Sequence, residues 1–301
     1  MNLIFQCRGG IGKAIMSTAI ITAIKKQHPK YKIIVISSHP SVYRNNPDVH
    51  DIHTFENFQH LYYKYVYNQE FITYSLEPYE HSDFITGKKS LYEVWAELCN
   101  VKYDNEWPKF ILTEDEIKKY SKLYKTDKPI FVLQTHGGDP NQNLDYNWAR
   151  DLPNNTVEEI INHYKDDYNI YHIKREDQKS YPNTIPATEG IREIAVLIKL
   201  SRRRLFIDSF AQHLSVALHK HSTVCWVTTT PKQFSYKNPT TLHPYHYTIK
   251  ANEPEFESQH TTFQGYDLVE HLNNLPYTSP DRIFEGINII ENIERQKYNL
   301  F

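Results

Sequence analysis

Glycine is scarce in this chain, nine residues in 301. A cluster of them therefore carries information, and Gly9, Gly10 and Gly12 form one directly after the apolar stretch NLIFQC. Cysteine is scarcer still. Cys7, Cys99 and Cys225 lie far apart with no CxxC pair, which argues against a disulfide framework and a cysteine zinc site. Two of the three fall in apolar strand-like runs, so buried free thiols in a reducing cytosol, and hence a cytoplasmic location, are expected. No run approaches the ~20 apolar residues of a membrane span. The N-terminal MNLIFQC reaches Arg8 and two glycines before a signal-peptide core can form. Stable membrane insertion is not expected. Charge of one sign is also missing: 34 Lys and Arg against 36 Asp and Glu give a net −2, no overall reason for a nucleic-acid or anionic-membrane partner. There is no DxD and no cluster with metal-ligand spacing, so neither a metal nor a bound cofactor is expected.

The chain is about twice the commonest domain size, which suggests two domains of similar size. The first begins with a strand over residues 2–7, the glycine turn, and an apolar helix from about Ala14 to Gln27. A Walker A loop fails here, because Cys7 and Ala14 stand where it needs Gly and Ser or Thr. A GxGxxG fingerprint from Gly10 and Gly12 meets Ile15 in place of its third glycine. A generic Gly-rich strand-to-helix turn survives, with backbone close to something at Gly10 and Gly12. The helix stops at His28-Pro29, and KIIVISS (32–38) reads as the next buried parallel strand. A turn at 44–48, a weak strand over 49–55 and a further strand around 70–76 follow. Residues 56–80 are otherwise aromatic and irregular. Ser90–Leu98 reads as an amphipathic helix capped by Ser90 with Glu93. The loop Pro78–Lys88, with His81 and Asp83, falls near strand C-terminal ends, where ligands of such sheets bind.

Residues 100–128 read as a linker. Pro129–Gln134 restarts the pattern and runs into Thr135-His136-Gly137-Gly138. A helix near 156–164, a strand over 168–173, the charged Lys174-Arg175-Glu176-Asp177 and a helix over 191–200 lead to the stretch LFIDSFAQHLSVALHKHSTVCWVTTTP. There a strand, Leu205–Ile207, gives way to Asp208-Ser209, a short helix and a second strand, Thr223–Val227. Side-chain acceptors and free backbone N–H groups thus meet at one spot, suited to a phosphate or a ribose. The alternative is that Asp208 or Ser209 merely caps the helix. His213 lies one turn beyond Ser209, near the same opening. Gly137 and Gly138 let backbone approach phosphate. Arg150 and Arg175 are candidates to neutralise it, against a surface ion pair for Arg150 and a solvated face for Arg175. Thr229, before Pro231, contacts phosphate or forms a turn.

Taken together, these segments resemble a GT-B glycosyltransferase, in particular the heptosyltransferase-like glycosyltransferase family 9. Gly12–Ile24 (GKAIMSTAIITAI) is similar to the family's N-terminal loop and helix, RNNPDV (44–49) to its NPDVD turn, and Ser90–Val101 to a helix ending in LG-hydrophobic. Pro129–Gly138 with Asn147–Pro153 resembles its strand, Pro-Gly loop and KxWP segment. Phe206–Lys220 resembles DSGxxHLAAALGKP, with Asp208, Ser209, His213 and Leu214 at matching positions, and Thr228–Pro231 echoes GPTxP.

The resemblance implies an α/β fold of two Rossmann-like doubly wound domains facing across a cleft. Residues 1–125 would form the acceptor domain, 126–280 the donor-nucleotide domain, and the helix in 281–301 could cross back onto the first domain. It implies transfer of a sugar, hexosyl or heptosyl, from a nucleoside-diphosphate sugar to a hydroxyl of a glycan or lipid-linked acceptor, without a catalytic metal. The donor would meet Gly10, Gly12, Thr135, Gly137, Gly138, Arg150, Arg175, Asp208, Ser209, His213 and Thr229. Three departures bear on mechanism. The family's proposed acidic base falls on Lys13, its signature glycine on Phe210, and its lysine before the Trp on Tyr146. Lys13 is expected to face phosphate or an anionic acceptor, leaving His81 and Asp83 as candidate bases. Two other readings stand beside this one. A modified-DNA acceptor is suggested by the Arg202-Arg203-Arg204 and Lys25-Lys26 runs, and a non-catalytic nucleotide-sugar-binding protein by the missing acid at position 13.

Overall fold

The computed structural model describes residues 1–56, 58–137, 151–226, 229, 231–236, 246–250 and 280–298, with side chains except at 58, 246–250 and 296–298. The chain divides into two compact units, Met1–Thr113 and Glu114–Phe301. Each contains one all-parallel sheet.

In the first unit, β1 (Asn2–Cys7), β2 (Lys32–Ser37), β3 (Asp51–His53) and β4 (Phe71–Ser75) lie in the order β3-β2-β1-β4. The helix Ile11–Gln27 is buried along its length from Lys13 to Ile24. A helix buried all round must satisfy its polar side chains locally. Ser17 Oγ donates to Ala14 O at 2.8 Å, Thr18 Oγ1 to Ile15 O at 2.6 Å and Thr22 Oγ1 to Asp48 Oδ2 at 2.7 Å. The helix Leu91–Leu98 carries the expected capping box between Ser90 and Glu93.

The irregular stretch after β3 holds a helical segment that periodicity did not show. Phe58–Leu61 continues into a π-helical turn, Tyr62–Val66. A π turn adds a residue per turn, which erases the 3.6-residue pattern by which helices are read. Leu61 and Tyr65 pack with Ile4, Ile34 and Ile36.

In the second unit, β5 (Ile130–Gln134), β6 (Asn169–Ile173), β7 (Ile185–Ala187), β8 (Arg203–Ile207), β9 (Ser222–Trp226) and β10 (His246–Lys250) lie in the order β10-β9-β8-β5-β6-β7. β5 and β9 are buried at every position, as their unbroken apolar runs require of strands covered on both faces. Helix Asn154–Tyr164 buries Val157, Ile160 and Ile161 with Phe131, Leu133, Leu205 and Ile207.

One expectation gives way. The stretch 100–128 is not a single linker. Its first part lies along helix Ile11–Gln27, with Lys109 N donating to Thr18 Oγ1 at 2.8 Å and Lys102 N to Gln27 Oε1 at 3.1 Å. Its second part belongs to the second unit. Arg192 donates to both oxygens of Glu116 at 2.5 and 2.6 Å, and Lys125 N donates to Tyr171 OH at 2.6 Å. The division therefore falls at Thr113 rather than near residue 125. The C-terminal helix, Pro280–Tyr298, packs on the second sheet: Ile283 and Ile287 join the core around Phe131 and Ile207.

That helix is also held electrostatically. Glu294 lies 2.6 Å from the buried Arg204 guanidinium and 3.7 Å from the His221 ring. Burial, the largest single influence on Glu294, raises its pKa, but hydrogen bonding from His221 and the charges of Arg204 and Lys220 outweigh it and hold the value at about 2, against 4.5 ordinarily. A depressed carboxyl pKa stabilises the fold fully above the ordinary value, and that contribution is lost as pH falls through the folded value. Glu294→Gln is expected to cost about 3 kcal/mol at neutral pH, by leaving Arg204 with a poorer partner. It should also flatten the loss of stability between pH 4.5 and about 2, both read from urea unfolding across pH.

Candidate functional site

The second sheet reverses its direction of travel once. From β5 the chain moves outward through β6 and β7, then returns to β8 on the other side of β5 and continues to β9 and β10. In open parallel sheets the connections diverge at such a point and leave a crevice at the carboxyl ends of the strands. Gln134 ends β5 and Asp208-Ser209 follow β8 there.

Gln134 organises this rim. Its Nε2 donates to Ser209 Oγ at 3.0 Å, and its Oε1 accepts from Ala211 N at 3.2 Å. Ser209 is extended, at φ −156° and ψ −177°, and its side chain makes no capping bond to helix Phe210–Ala217. The first turn carries no acidic residue. Ala211 N is taken by Gln134, and the Asp208 carboxylate lies just before the helix start and bonds Gln212, so the helix end is partly satisfied from within and partly left to an outside anion. Asp208 and His213 are buried. Asp208 accepts from Gln212 Nε2, and His213 Nδ1 bonds Tyr236 OH at 2.7 Å. Both therefore brace the helix from within.

Beside β5, the fully buried Thr135 shares its Oγ1 with His136 Nδ1 and His172 Nε2, each at 2.8 Å. Gly137 N donates to Asp151 Oδ1 at 2.8 Å. Gly137 O accepts from Arg175 Nη1 at 3.3 Å and from Gln178 Nε2 at 3.4 Å, while Arg175 also pairs with Asp177 at 3.0 Å. Arg175 is thereby drawn to the glycine loop instead of standing on a solvated face. Thr229 is buried after β9, and its hydroxyl has no hydrogen-bond partner among the described residues. Gly138 and Arg150 lie outside the described residues.

The first unit places its candidates differently from expectation. Lys13 does not stand open to an anion: its Nζ donates to Glu77 Oε1 at 2.7 Å and Oε2 at 2.5 Å. His81 Nδ1 accepts from Asp83 N at 3.2 Å, so the ring's proton is carried on Nε2 and its outward nitrogen is a donor, not a base. Asp83 pairs with Lys89 at 3.0 Å, and that hydrogen bond holds its carboxyl below the usual range. Gly10 caps helix Ile11–Gln27 in open space, and Gly12 sits within its first turn. The turn depends on Gly9, whose φ of +96° a side chain rarely adopts. Glu77 and Gln134 are not among the site residues read from the sequence, whereas Gly9 belongs to the glycine cluster read there as a turn. A polar residue ending an otherwise apolar strand was the available signal for Gln134.

Neither a protein-family model nor a curated protein matches the sequence. Solved structures do match the fold. A glycosyl transferase family 9 protein from Veillonella parvula DSM 2008 superposes with TM-score 0.70 at 7% identity, covering 96% of this chain and 97% of that one. The E. coli ADP-heptose LPS heptosyltransferase II gives TM-score 0.70 at 12% identity, over 98% and 100% of the two chains. The dodecameric iron-containing heptosyltransferase TibC, solved with ADP-D-β-D-heptose, gives TM-score 0.65 at 13% identity, over 99% and 79%.

Burial pushes the His172 pKa down to about 3 from 6.5, with the neighbouring His136 and Lys174 adding to the effect. The unfolded chain takes up this proton first, so the contribution of His172 to stability is complete above 6.5 and is lost as pH falls towards about 3. Imidazole NMR is expected to find His172 neutral at pH 5, where an exposed histidine is protonated. Thr135→Val should cost about 1–3 kcal/mol by removing a buried hydrogen-bond partner. With its two parallel sheets and these structural matches, the chain has the GT-B fold.

Proposed function

We propose that the protein is a glycosyltransferase that moves a sugar from a nucleoside-diphosphate sugar to a hydroxyl of a glycan or lipid-linked acceptor. The observation that carries this reading is the rim of the second sheet at its switch point. There Gln134 bonds Ser209, which makes no capping bond to the helix, and the helix start has no acidic residue in its first turn, so an anionic group can approach it. A diphosphate leaving group is such an anion, and stabilising it is the largest electrostatic task in this chemistry. Gly137 and Arg175, joined to each other, stand ready at the neighbouring β5 loop. The neighbours whose structures are described as heptosyltransferases support a nucleotide-sugar donor. In this reading the transfer runs without a bound metal, so activity should be unchanged by a chelator.

A modified-DNA acceptor draws no support. The arginine run that suggested it is engaged inside the second unit: Arg202 with Glu291 at 2.5 Å, Arg203 with the Tyr164 and Tyr168 hydroxyls at 2.9 and 2.6 Å, Arg204 with Glu294 at 2.6 Å. Lys25 donates to Tyr31 O at 2.8 Å, and Lys26 pairs with Glu106 at 3.0 Å.

The test is a substitution with opposite effects on folding and binding. In Ser209→Asp a carboxylate caps the helix, so the ligand-free protein should gain about 0.5–1 kcal/mol. The same carboxylate occupies and repels the anion's place, so affinity for UDP, GDP, ADP or CMP should fall tenfold or more. Wild type should be stabilised by about 2.7 kcal/mol at a hundredfold excess of the preferred nucleotide over its Kd. Calorimetry and thermal unfolding read both. No stabilisation of wild type by any of these nucleotides or their sugars would refute the reading.

A further inference from the structure

The first sheet has a switch point of its own. The chain travels from β1 to β2 and β3 on one side, then crosses to β4 on the other side of β1. Lys13 follows β1 and Glu77 follows β4, so their ion pair spans the point where the connections diverge. A ligand of this sheet is expected at that place.

The two partners are unequally exposed. Only 7% of the Lys13 side chain is accessible, against 40% for Glu77. The ammonium lies 5.2 Å from the Tyr79 ring centre and 5.7 Å from that of Trp95. A Cβ at Gly9 would approach Lys13 Cδ to 3.3 Å, so the stem runs hard against the turn. The lysine is therefore fixed and has no lone pair to offer while charged. The carboxylate is the group it presents. Each carboxylate oxygen has two acceptor positions; Lys13 takes one on each and Tyr79 N, at 3.4 Å, takes the second on Oε1, which leaves a position on Oε2 of the half-exposed carboxylate for a hydroxyl. An ion pair serving stability alone gains little when one partner is this accessible. The other candidate bases are engaged, Asp83 with Lys89 and His81 with the backbone of Asp83, and the Cys7 thiol, which feels the charges of both Lys13 and Glu77, is buried, its pKa raised by that burial.

We propose that Glu77 is the catalytic base of the glycosyl transfer and that Lys13 is its positioning residue; this rests on the function proposed above. The acceptor O–H bond breaks and its proton passes to a Glu77 oxygen. The freed electron pair forms the bond from the acceptor oxygen to the anomeric carbon. The bond from that carbon to the diphosphate oxygen breaks, and the nucleoside diphosphate leaves with its electrons.

Donor hydrolysis, with water in place of the acceptor, tests this without knowledge of the acceptor. UDP-, GDP-, ADP- and CMP-sugars are offered to wild type, Glu77→Gln, Glu77→Asp and Lys13→Gln at mildly acidic to neutral pH. Glu77→Gln should lose on the order of a hundredfold in kcat while keeping the donor-induced thermal shift. Glu77→Asp should recover part of the rate, and Lys13→Gln should lower kcat with little change in KM. Wild-type hydrolysis by Glu77→Gln would overturn the proposal while leaving the glycosyltransferase reading in place. A wild type that neither binds nor hydrolyses any of the sugars would instead overturn the reading on which it rests. Should the glutamine variant fail to fold, Glu77→Asp decides: a wild-type kcat there, with the carboxylate withdrawn by one methylene, counts against Glu77.

Discussion

Central strands covered on both faces leave a sheet little room for polar chemistry except at its rims. That constraint governs both halves of this protein. β5 and β9 are buried at every residue, β1 and β2 nearly so, and the polar side chains that end or follow them collect where the connections part. Each sheet reverses its strand order once, so each has one such parting, beside β1 in the first unit and beside β5 in the second.

The two partings are furnished with opposite electrostatics. Beside β5, a neutral amide ties down Ser209, and a helix N-terminus remains with no acidic residue in its first turn. That arrangement is suited to accepting negative charge. Beside β1, the helix Ile11–Gln27 also begins without an acid, but its Lys13 is turned to a carboxylate brought in by the other strand of the parting. That arrangement presents a fixed, ionised carboxylate. A glycosyl transfer needs both, one for the departing diphosphate and one for the attacking hydroxyl.

Much of the architecture was legible because most elements carry only one kind of regularity. Largely apolar runs marked β1, β2, β5 and β9, and the Ser90–Glu93 box marked the start of its helix to the residue. Legibility failed where local pattern and tertiary role separate. Tyr62–Val66 is helical with a period that sequence templates do not test. Arg202, Arg203 and Arg204 read as a basic patch, yet each is paired with Glu291 or Glu294 on a helix about ninety residues further on, and Arg204 is buried. The unit boundary was displaced for the same reason, since Glu116 joins the second unit through an arginine 76 residues away.

The candidate site divides along this line. Sequence alone determined that two α/β units would carry glycine-bearing turns and an Asp-Ser helix start, because chain direction, burial and capping are local consequences of residue type and spacing. It also marked position 13 as the place where the pattern of the resembling family breaks. Only the tertiary structure decided what Lys13 faces, since the partner, Glu77, is 64 residues away and arrives on a strand whose place beside β1 is set by the crossing of the sheet. In the same way Ser209 is withheld from its own helix by Gln134, 75 residues earlier. Which side chains meet at a switch point depends on strand order, and strand order is a property of the whole packed sheet.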